Sequence, residues 1–112
     1  MIYNSAGSVV VAVVYTTMDD IKDARRMAHT LVEEQLVACV NIIPSVESVY
    51  RCKGRIEEGE EVTLICKTTN QNVKKTIRRI KTLHKYELPA VIVLPIIGGL
   101  KDYLDYISNE TS

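Results

Sequence analysis

The sequence predicts an α+β domain in which four short strands form one sheet and two amphipathic helices cover it. Three observations lead to this prediction. Runs of β-branched residues alternate with helical patterns, and turn-forming Pro and Gly residues separate them. A length of 112 residues suits one domain. Hydrophobic residues make up 46% of the chain, although it contains no Phe or Trp, and this is enough apolar mass for a buried core.

The first strand and the first helix follow from the residue pattern. Residues 9–15 are a continuous apolar run, which is typical of a buried strand. Asp19 or Asp20 can then accept the free backbone N–H groups at the start of a helix. Apolar residues at three- and four-residue steps predict that this helix begins at Ile21 and ends near Gln35.

A long β-hairpin is predicted next. The second strand covers residues 37–43, is interrupted at Pro44, which has no N–H for the ladder, and resumes from Val46 to about Cys52. Turn-forming residues at 53–55 and 57–59 connect it to a third strand at residues 62–67. The two strands therefore predict an extended hairpin arm.

The second half of the chain adds a helix, a strand and a last helix. Thr69 or Asn70 is expected to cap the second helix. Pro89 cannot continue a helix, and a fourth strand is predicted after it at residues 90–94. The apolar stripe of this helix is Val73, Ile77, Ile80 and either Leu83 or His84. A short helix at residues 100–108 follows. The order βαββαβ with a terminal helix is the ferredoxin-like pattern, with both main helices on one face of an antiparallel sheet.

The predicted strands are apolar on both faces, whereas two helices can cover only one. Val11 and Val13 point to one side of the first strand, and Ala12 and Val14 point to the other. A soluble monomer rarely exposes a large apolar patch. We therefore expect other copies of the same chain to cover the second face, which makes the protein a homo-oligomer.

Composition and charge argue against several function classes. The 14 Lys and Arg residues balance the 14 Asp and Glu residues, so no basic face for nucleic acid is expected. The cations of the second helix (Lys74, Lys75, Arg78, Arg79 and Lys81) are interpreted as a solvated surface, since no aromatic stacking platform accompanies them. No apolar stretch approaches the roughly 20 residues of a membrane span, and no targeting signal is visible. We therefore expect a cytoplasmic protein.

The chain is expected to form a single domain over residues 1–112, with flexible tails at 1–8 and 109–112. Its three cysteines are an odd number without a CxxC spacing, which predicts free thiols rather than disulfides or a zinc knuckle. Cys66 alternates with apolar neighbours and is predicted to lie in the core. Cys52, near the tip of the hairpin, is predicted to be the most exposed thiol.

A series of short motifs resembles the CutA divalent-cation tolerance proteins. The motifs fall in the order of that family and extend over roughly residues 9–107. They are Val14-Tyr15-Thr16-Thr17, Leu36-Val37-Ala38-Cys39-Val40-Asn41-Ile42-Ile43-Pro44, Ser48-Val49-Tyr50-Arg51, Lys53-Gly54, Glu60-Glu61-Val62, Lys67-Thr68-Thr69, Leu83-His84, Tyr86-Glu87, Pro89, Leu94-Pro95 and Asp102-Tyr103-Leu104. The chain departs from the family at Cys52, Lys85 and Leu88, where the family usually has Trp, Pro and Val.

The resemblance implies a ferredoxin-like homotrimer related in architecture to the nitrogen-regulatory signal-transduction proteins. It also implies a role in tolerance to divalent metals, with copper binding reported for the family. No catalytic reaction is established across the family, so we do not predict an enzyme. No cofactor is required, and Cu(II) or another divalent cation is the candidate ligand. The expected partners are other copies of this chain and divalent metal ions, without nucleic acid or membrane.

Two residues in these motifs are candidate copper ligands. Cys39 and His84 carry the thiolate and imidazole groups that bind copper well. Each also has a simpler interpretation. Cys39 shares a strand face with Val37 and fits a small buried residue. His84 ends the second helix and fits an imidazole that interacts with the last carbonyl groups.

A second group of motif residues suits a small anion or a subunit interface. Cationic side chains together with hydroxyl groups can bind a carboxylated molecule between subunits. Lys67 also precedes a helix N-terminus, where anions bind well. The group is Tyr50, Arg51, Lys67, Thr68, Tyr86 and Glu87. Three functions remain open: a metal-binding tolerance protein, a signalling or scaffold trimer for a small anionic metabolite, and a stable trimer that acts through a protein partner.

Overall fold

The computed structural model describes residues 10–111 and contains, in this range, one four-stranded sheet and three α-helices. The elements are β1 (Val11–Met18), α1 (Ile21–Glu33), β2 (Cys39–Cys52), β3 (Arg55–Thr69), α2 (Val73–Leu83), β4 (Val91–Pro95) and α3 (Lys101–Asn109). This order confirms the predicted βαββαβ arrangement with a terminal helix. The expected tail at residues 1–8 and the start of the first strand at Val9 lie outside the described residues.

The strands are arranged in the order β2-β3-β1-β4, and every neighbouring pair is antiparallel. Central strand β1 pairs with β3 on one side and with the short strand β4 on the other. Val14, for example, is opposite Cys66 of β3 and Val93 of β4. The order is that of a ferredoxin-like sheet, as predicted.

The capping predictions had different outcomes for the two main helices. Of the two candidates before α1, Asp20 is the cap, since its carboxylate accepts a hydrogen bond from the Lys22 N–H at 2.7 Å. The helix ends at Glu33, and Gln35 follows it in the left-handed region with a φ of 59°. The prediction that Thr69 or Asn70 caps α2 is wrong, because a 3-10 turn at Asn70–Asn72 intervenes and no cap side-chain hydrogen bond forms at its start.

The hairpin extends well beyond the rest of the sheet. Strands β2 and β3 stay paired as far as Cys52 and Arg55, whereas β1 ends opposite Val62. We call residues 46–61 the hairpin arm. A register shift between Ile43 and Val46 confirms the predicted irregularity at Pro44.

The arm has one turn rather than the two candidate turns. Lys53 and Gly54 form it, with positive φ angles of 53° and 78°, as a tight two-residue hairpin requires. The predicted turn at residues 57–59 is wrong, because these residues pair within β3 opposite residues 48–50. Glutamate and glycine are poor strand formers, but the continued cross-strand pairing overrides that preference.

The main core lies between the sheet and the two long helices. Val14, Leu64 and Cys66 of the sheet pack against Leu31 of α1 and Ile80 of α2, all fully buried. Cys66 therefore lies in the core, as predicted. At the end of the α2 stripe, His84 is the buried alternative with 9% exposure, while Leu83 is 36% exposed.

The second face of the sheet is only partly covered. Helix α3 packs on one end of it, where Leu104 and Ile107 join Val11 and Ala38 in a small separate core. Away from α3, apolar side chains of β2 and β4 remain exposed: Ile43 (39%), Ile92 (54%) and Leu94 (46%). The excess of apolar residues predicted for this face is thus present in the single chain.

The C-terminal end differs from the expected tail at 109–112. Asn109 is the last residue of α3, and Thr111 is buried. The Asn72 side-chain amide donates a hydrogen bond to the carbonyl oxygen of Thr111 at 2.9 Å. The chain is therefore packed against the domain as far as residue 111.

Candidate functional site

A cleft of about 720 Å³ opens between the hairpin arm and the segment that leads into β4. Central strand β1 contributes Tyr15, the arm contributes Glu47, Tyr50 and Glu61, and the segment after α2 contributes Tyr86. We call this the tyrosine cleft. It exists because β2 and β3 continue past the end of β1 and leave space beside the arm.

Glu61 lies at the centre of the polar contacts in the tyrosine cleft. Its Oε1 accepts a hydrogen bond from the Ser48 hydroxyl at 2.7 Å, and its Oε2 accepts one from the Tyr86 hydroxyl at 3.2 Å. Burial and, next, the negative charge of Glu61 raise the pKa of Tyr86 to about 12. Tyr86 therefore stays protonated and donates to the carboxylate.

His84 holds the segment that carries Tyr86. The Tyr86 backbone N–H donates to His84 Nδ1 at 3.0 Å, so the proton of the neutral ring is on Nε2, which donates to the Thr17 carbonyl at 2.6 Å. The two aromatic rings also lie 4.6 Å apart. Both ring nitrogens are engaged, and His84 thereby positions Tyr86 in the cleft.

Cys39 lies elsewhere, on the sheet face that α3 partly covers. Its Sγ is 3.4 Å from the Tyr103 hydroxyl, which also accepts a hydrogen bond from Lys67 Nζ at 3.1 Å. The hydrogen bond with Tyr103 is the main cause that raises the pKa of Lys67. These three side chains form a polar cluster under α3, with Cys39 half-buried.

The two candidate copper ligands are far apart within one chain. Across the sheet, Cys39 of β2 is two strands away from Val13 of β1, with Lys67 of β3 between them. His84 instead bonds to Thr17, which is four residues further along β1 than Val13. At about 3.3 Å per residue and 4.8 Å per strand, the separation is roughly 16 Å. Across residues 10–111, moreover, no three His, Cys, Asp or Glu side chains are grouped closely enough to hold a metal.

The second predicted group is also dispersed. Only Tyr50 and Tyr86 line the tyrosine cleft. Thr68 is buried and donates to the Leu36 carbonyl, and Arg51 reaches the Gly54 carbonyl at the tip of the arm. The Glu87 carbonyl oxygen accepts a hydrogen bond from Lys81. Within one chain these residues serve local structure rather than one anion site.

The cleft contains residues that the sequence did not identify as a site. Tyr15, Glu47 and Glu61 line it, and the anion hypothesis did not include them. Strand alternation could have shown that Glu61 faces away from the core, since it is on the opposite face of β3 from core residues Val62 and Leu64. Strand alternation could not predict the contact between Tyr86 and Glu61, because Tyr86 lies in the irregular segment between α2 and β4.

The thiols outside the cluster are placed as predicted. Cys52 is exposed near the tip of the arm, and Cys66 is buried. Burial raises the pKa of Cys66 to about 12, which keeps it as an unreactive thiol at neutral pH.

The sheet order, the long arm and the third helix define a ferredoxin-like α+β protein with an extended hairpin. Residues 12–110 match the family model described as the CutA1 divalent ion tolerance protein. The chain belongs to this family, and the resemblance noted in the sequence is confirmed.

Relatives of known name agree with this assignment. The divalent-cation tolerance protein CutA of Thermus thermophilus is 42% identical over 99 residues, which are 88% of this chain and 96% of that protein. The chloroplastic protein CutA of Arabidopsis thaliana is 38% identical over 88% of this chain. The chain spans only 54% of the Arabidopsis protein, about half its length.

Solved structures of the family share the fold. CutA1 from Oryza sativa has a TM-score of 0.90 at 38% identity and covers 94% of this chain and 96% of its own. The PII-like protein CutA from Nostoc, in its apo form, has a TM-score of 0.84 at 36% identity, with 90% and 97% covered. The helices found between residues 10 and 111 are all too short or too polar to span a membrane.

Proposed function

We propose that this protein is a cytoplasmic homotrimer that binds divalent cations, copper in particular, and contributes to metal-ion tolerance without catalysis. The observation that carries the proposal is the family match over residues 12–110. The similar protein of Thermus thermophilus is named a divalent-cation tolerance protein. Relatives named as chloroplastic or periplasmic are found in other organisms, so fractionation of native cells is the test of location.

The exposed second face supports assembly. Ile43, Ile92 and Leu94 would bury apolar area against neighbouring copies, which is worth about 25 cal/mol per Å². We expect light scattering to give three times the chain mass of 12.6 kDa. Ile92→Lys should dissociate the trimer, whereas Val32→Lys, on the exposed side of α1, should not. A wild-type monomer at micromolar concentration would contradict the proposal.

Cys39 and His84 are the proposed copper ligands. Cys39 is a free, half-buried thiol on the face that assembly would cover. His84 can bind a metal only by giving up its hydrogen bond to Thr17 or to Tyr86. Because the two residues are roughly 16 Å apart in one chain, they would bind separate ions or share one ion between subunits.

Anaerobic calorimetric titration with copper tests these ligands. Cys39→Ala and His84→Ala should each weaken binding or reduce its stoichiometry, while Cys52→Ala controls for adventitious binding to the exposed thiol. Equal binding by the wild type and both ligand variants would remove Cys39 and His84 from the proposal. Loss of binding in Cys52→Ala alone would identify exposed-thiol binding.

A small anionic metabolite is the second candidate ligand, and Lys67 is the residue that favours it. Its ammonium group contacts Tyr103 but forms no ion pair with a carboxylate of the described residues. An anion between subunits could therefore pair with it. Thermal stabilisation in a screen of anionic metabolites should be lost in Lys67→Ala and retained in Lys74→Ala. Stabilisation retained in Lys67→Ala would exclude this site.

A further inference from the structure

Helix α2 carries a concentration of positive charge on its outer side. Its five cations extend from residue 74 to residue 81, about 10 Å along the helix axis, and no acidic residue occurs between Val73 and Leu83. In the described part of the chain, Arg79 alone among the five forms an ion pair, with Glu34 of α1. Like charges four residues apart repel each other, so this arrangement works against the stability of the helix. An anionic partner would remove that repulsion.

An apolar groove of about 520 Å³ adjoins these cations. Arg78 and Lys81 of α2 line it together with Leu88, which precedes β4, and Val91, which lies in β4. Arg78 is exposed and has no ion pair with the described residues. The Lys81 ammonium group donates a hydrogen bond to the Glu87 carbonyl oxygen at 3.1 Å. The groove therefore combines apolar side chains with two cations that have no carboxylate partner.

The groove lies on the helix side of the sheet. Two of its lining residues, Ile77 and Val91, pack against the main core between the sheet and the helices. Ile92 follows Val91 in β4 and therefore points to the opposite face, where we propose that other copies assemble. Assembly through that face leaves the outer side of α2 accessible.

The lining distinguishes between kinds of anion. Among the described residues that line the groove, none is aromatic or acidic. Proteins that bind single-stranded nucleic acids stack the bases on aromatic side chains, so the groove does not suit that partner. An extended acidic peptide has carboxylates at alternate positions about 6.6 Å apart, close to the 5.4 Å of one turn of α2. A peptide can also supply an apolar side chain for the groove.

We propose that α2 and the adjoining groove bind an acidic segment of a partner protein, with Arg78 and Lys81 pairing with its carboxylates. Hydrogen bonds between charged groups are stronger than those between neutral groups and supply the recognition. The groove receives an apolar side chain of the segment against Ile77 and Val91, which adds apolar burial. This surface serves the third function that the sequence left open, action through a protein partner, and it is separate from the proposed metal ligands.

Short acetylated peptides form a matched set of probes. The first has two glutamates and a leucine at alternate positions among alanines, and the second has glutamine in place of both glutamates. Calorimetry with the full-length protein should detect the acidic peptide, and the glutamine peptide should bind at least about tenfold more weakly. A third peptide with serine in place of leucine should also bind more weakly than the first. Absence of binding by the acidic peptide, or equal binding of all three, would overturn the proposal.

A thymidine oligonucleotide of the same net charge as the acidic peptide tests the class of partner. It should bind more weakly than the peptide, because the groove offers its bases no stacking platform. Equal or tighter binding of the oligonucleotide would overturn the assignment to a protein partner.

Arg78→Gln tests the assigned cation. The variant loses no ion pair of the described residues, so it should fold normally. Binding of the acidic peptide should fall about three- to fivefold, as expected for an exposed ion pair, and about tenfold or more when Lys81→Gln is added. Arg25→Gln removes the same charge from an exposed position of α1 and should leave binding unchanged. Equal binding by Arg78→Gln and Arg25→Gln would refute the assignment.

Light scattering distinguishes a protein partner from a neighbouring copy of this chain. Arg78→Glu reverses the charge beside the groove and should abolish binding of the acidic peptide without changing the oligomeric mass. Dissociation of the oligomer in Arg78→Glu, with Arg25→Glu as the control, would show that α2 faces another copy and would overturn the proposal. The wild-type mass is measured in the same experiment, so failure of the trimer proposal is seen separately.

Discussion

The ammonium group of Lys67 on β3 donates a hydrogen bond to the Tyr103 hydroxyl on α3 at 3.1 Å and lies 5.3 Å from the centroid of the same ring. This contact joins the last helix to the sheet across 36 residues of sequence. Leu104 and Ile107 of α3 pack against the sheet, and this polar contact holds the helix above Cys39.

Tyr103→Phe should therefore lower the free energy of unfolding by about 1 kcal/mol, since the hydroxyl loses its hydrogen bond with Lys67 and its weaker one with Cys39 at a partly exposed site. Urea unfolding at a fixed protein concentration measures the change. Tyr15→Phe is the matched control, because no hydrogen bond is found for its hydroxyl within the described residues. An equal loss in both variants would show that the Lys67 contact contributes nothing specific.

Removal of the α1 cap should distinguish two adjacent aspartates. Asp20→Ala should destabilise the protein by about 1 kcal/mol, because the free Lys22 N–H loses its acceptor. Asp20→Asn should retain most of the stability, as asparagine also caps helices well. Asp19→Ala should have little effect. If Asp19→Ala were the more damaging change, the cap would be wrongly assigned. Thermal unfolding monitored by far-UV circular dichroism is a suitable measurement.

Stability in acid should depend on Asp23. Hydrogen bonding to Lys85, whose Nζ is 2.6 Å away, is the main cause that holds the pKa of Asp23 below its ordinary value of 3.8, and Arg26 adds to it. A carboxyl whose pKa is lower in the folded state stabilises the protein above its ordinary pKa. That stabilisation is lost as the pH falls through the lower, folded value.

Unfolding measured at several pH values between about 4 and 2 should therefore show a steeper loss of stability for the wild type than for Asp23→Asn. Asp102→Asn is the control, since Asp102 is exposed and forms no ion pair with the described residues. Identical slopes for Asp23→Asn and the wild type would contradict the assignment. This acid dependence therefore rests on the contact between Asp23 and Lys85.

The three thiols should react with iodoacetamide in a fixed order at neutral pH. Cys52 should be alkylated first, because it is exposed, and half-buried Cys39 should follow more slowly. Cys66 should react only after unfolding, because burial raises its pKa to about 12 and the thiolate is the nucleophile. Peptide mapping by mass spectrometry reads out the order. Early alkylation of Cys66 in the native protein would contradict the core packing.

The order of the elements could be predicted because it depends on local patterns. The spacing of Ala24, Leu31 and their neighbours defines α1 by itself, and the alternation of Val14 with its neighbours defines β1. The tyrosine cleft depends instead on distant pairs. The hydrogen bond between Glu61 and Tyr86 joins residues 25 positions apart through a loop. Residue types alone therefore grouped Tyr86 with Lys67, whereas within one chain Tyr86 contacts Glu61 and Lys67 contacts Tyr103.

The hairpin arm has one more consequence, which concerns aggregation. Beyond Val62 the two strands have no third strand beside them, so both of their outer edges offer unpaired backbone groups to any strand that approaches. Such edges invite uncontrolled strand addition. Along this stretch, however, the exposed side chains include the carboxylates of Glu47, Glu57, Glu58 and Glu60. Two arms that met along residues 57–60 would bring like charges together, so the same glutamates that make this part of the arm a poor strand by composition disfavour edge-to-edge strand addition there.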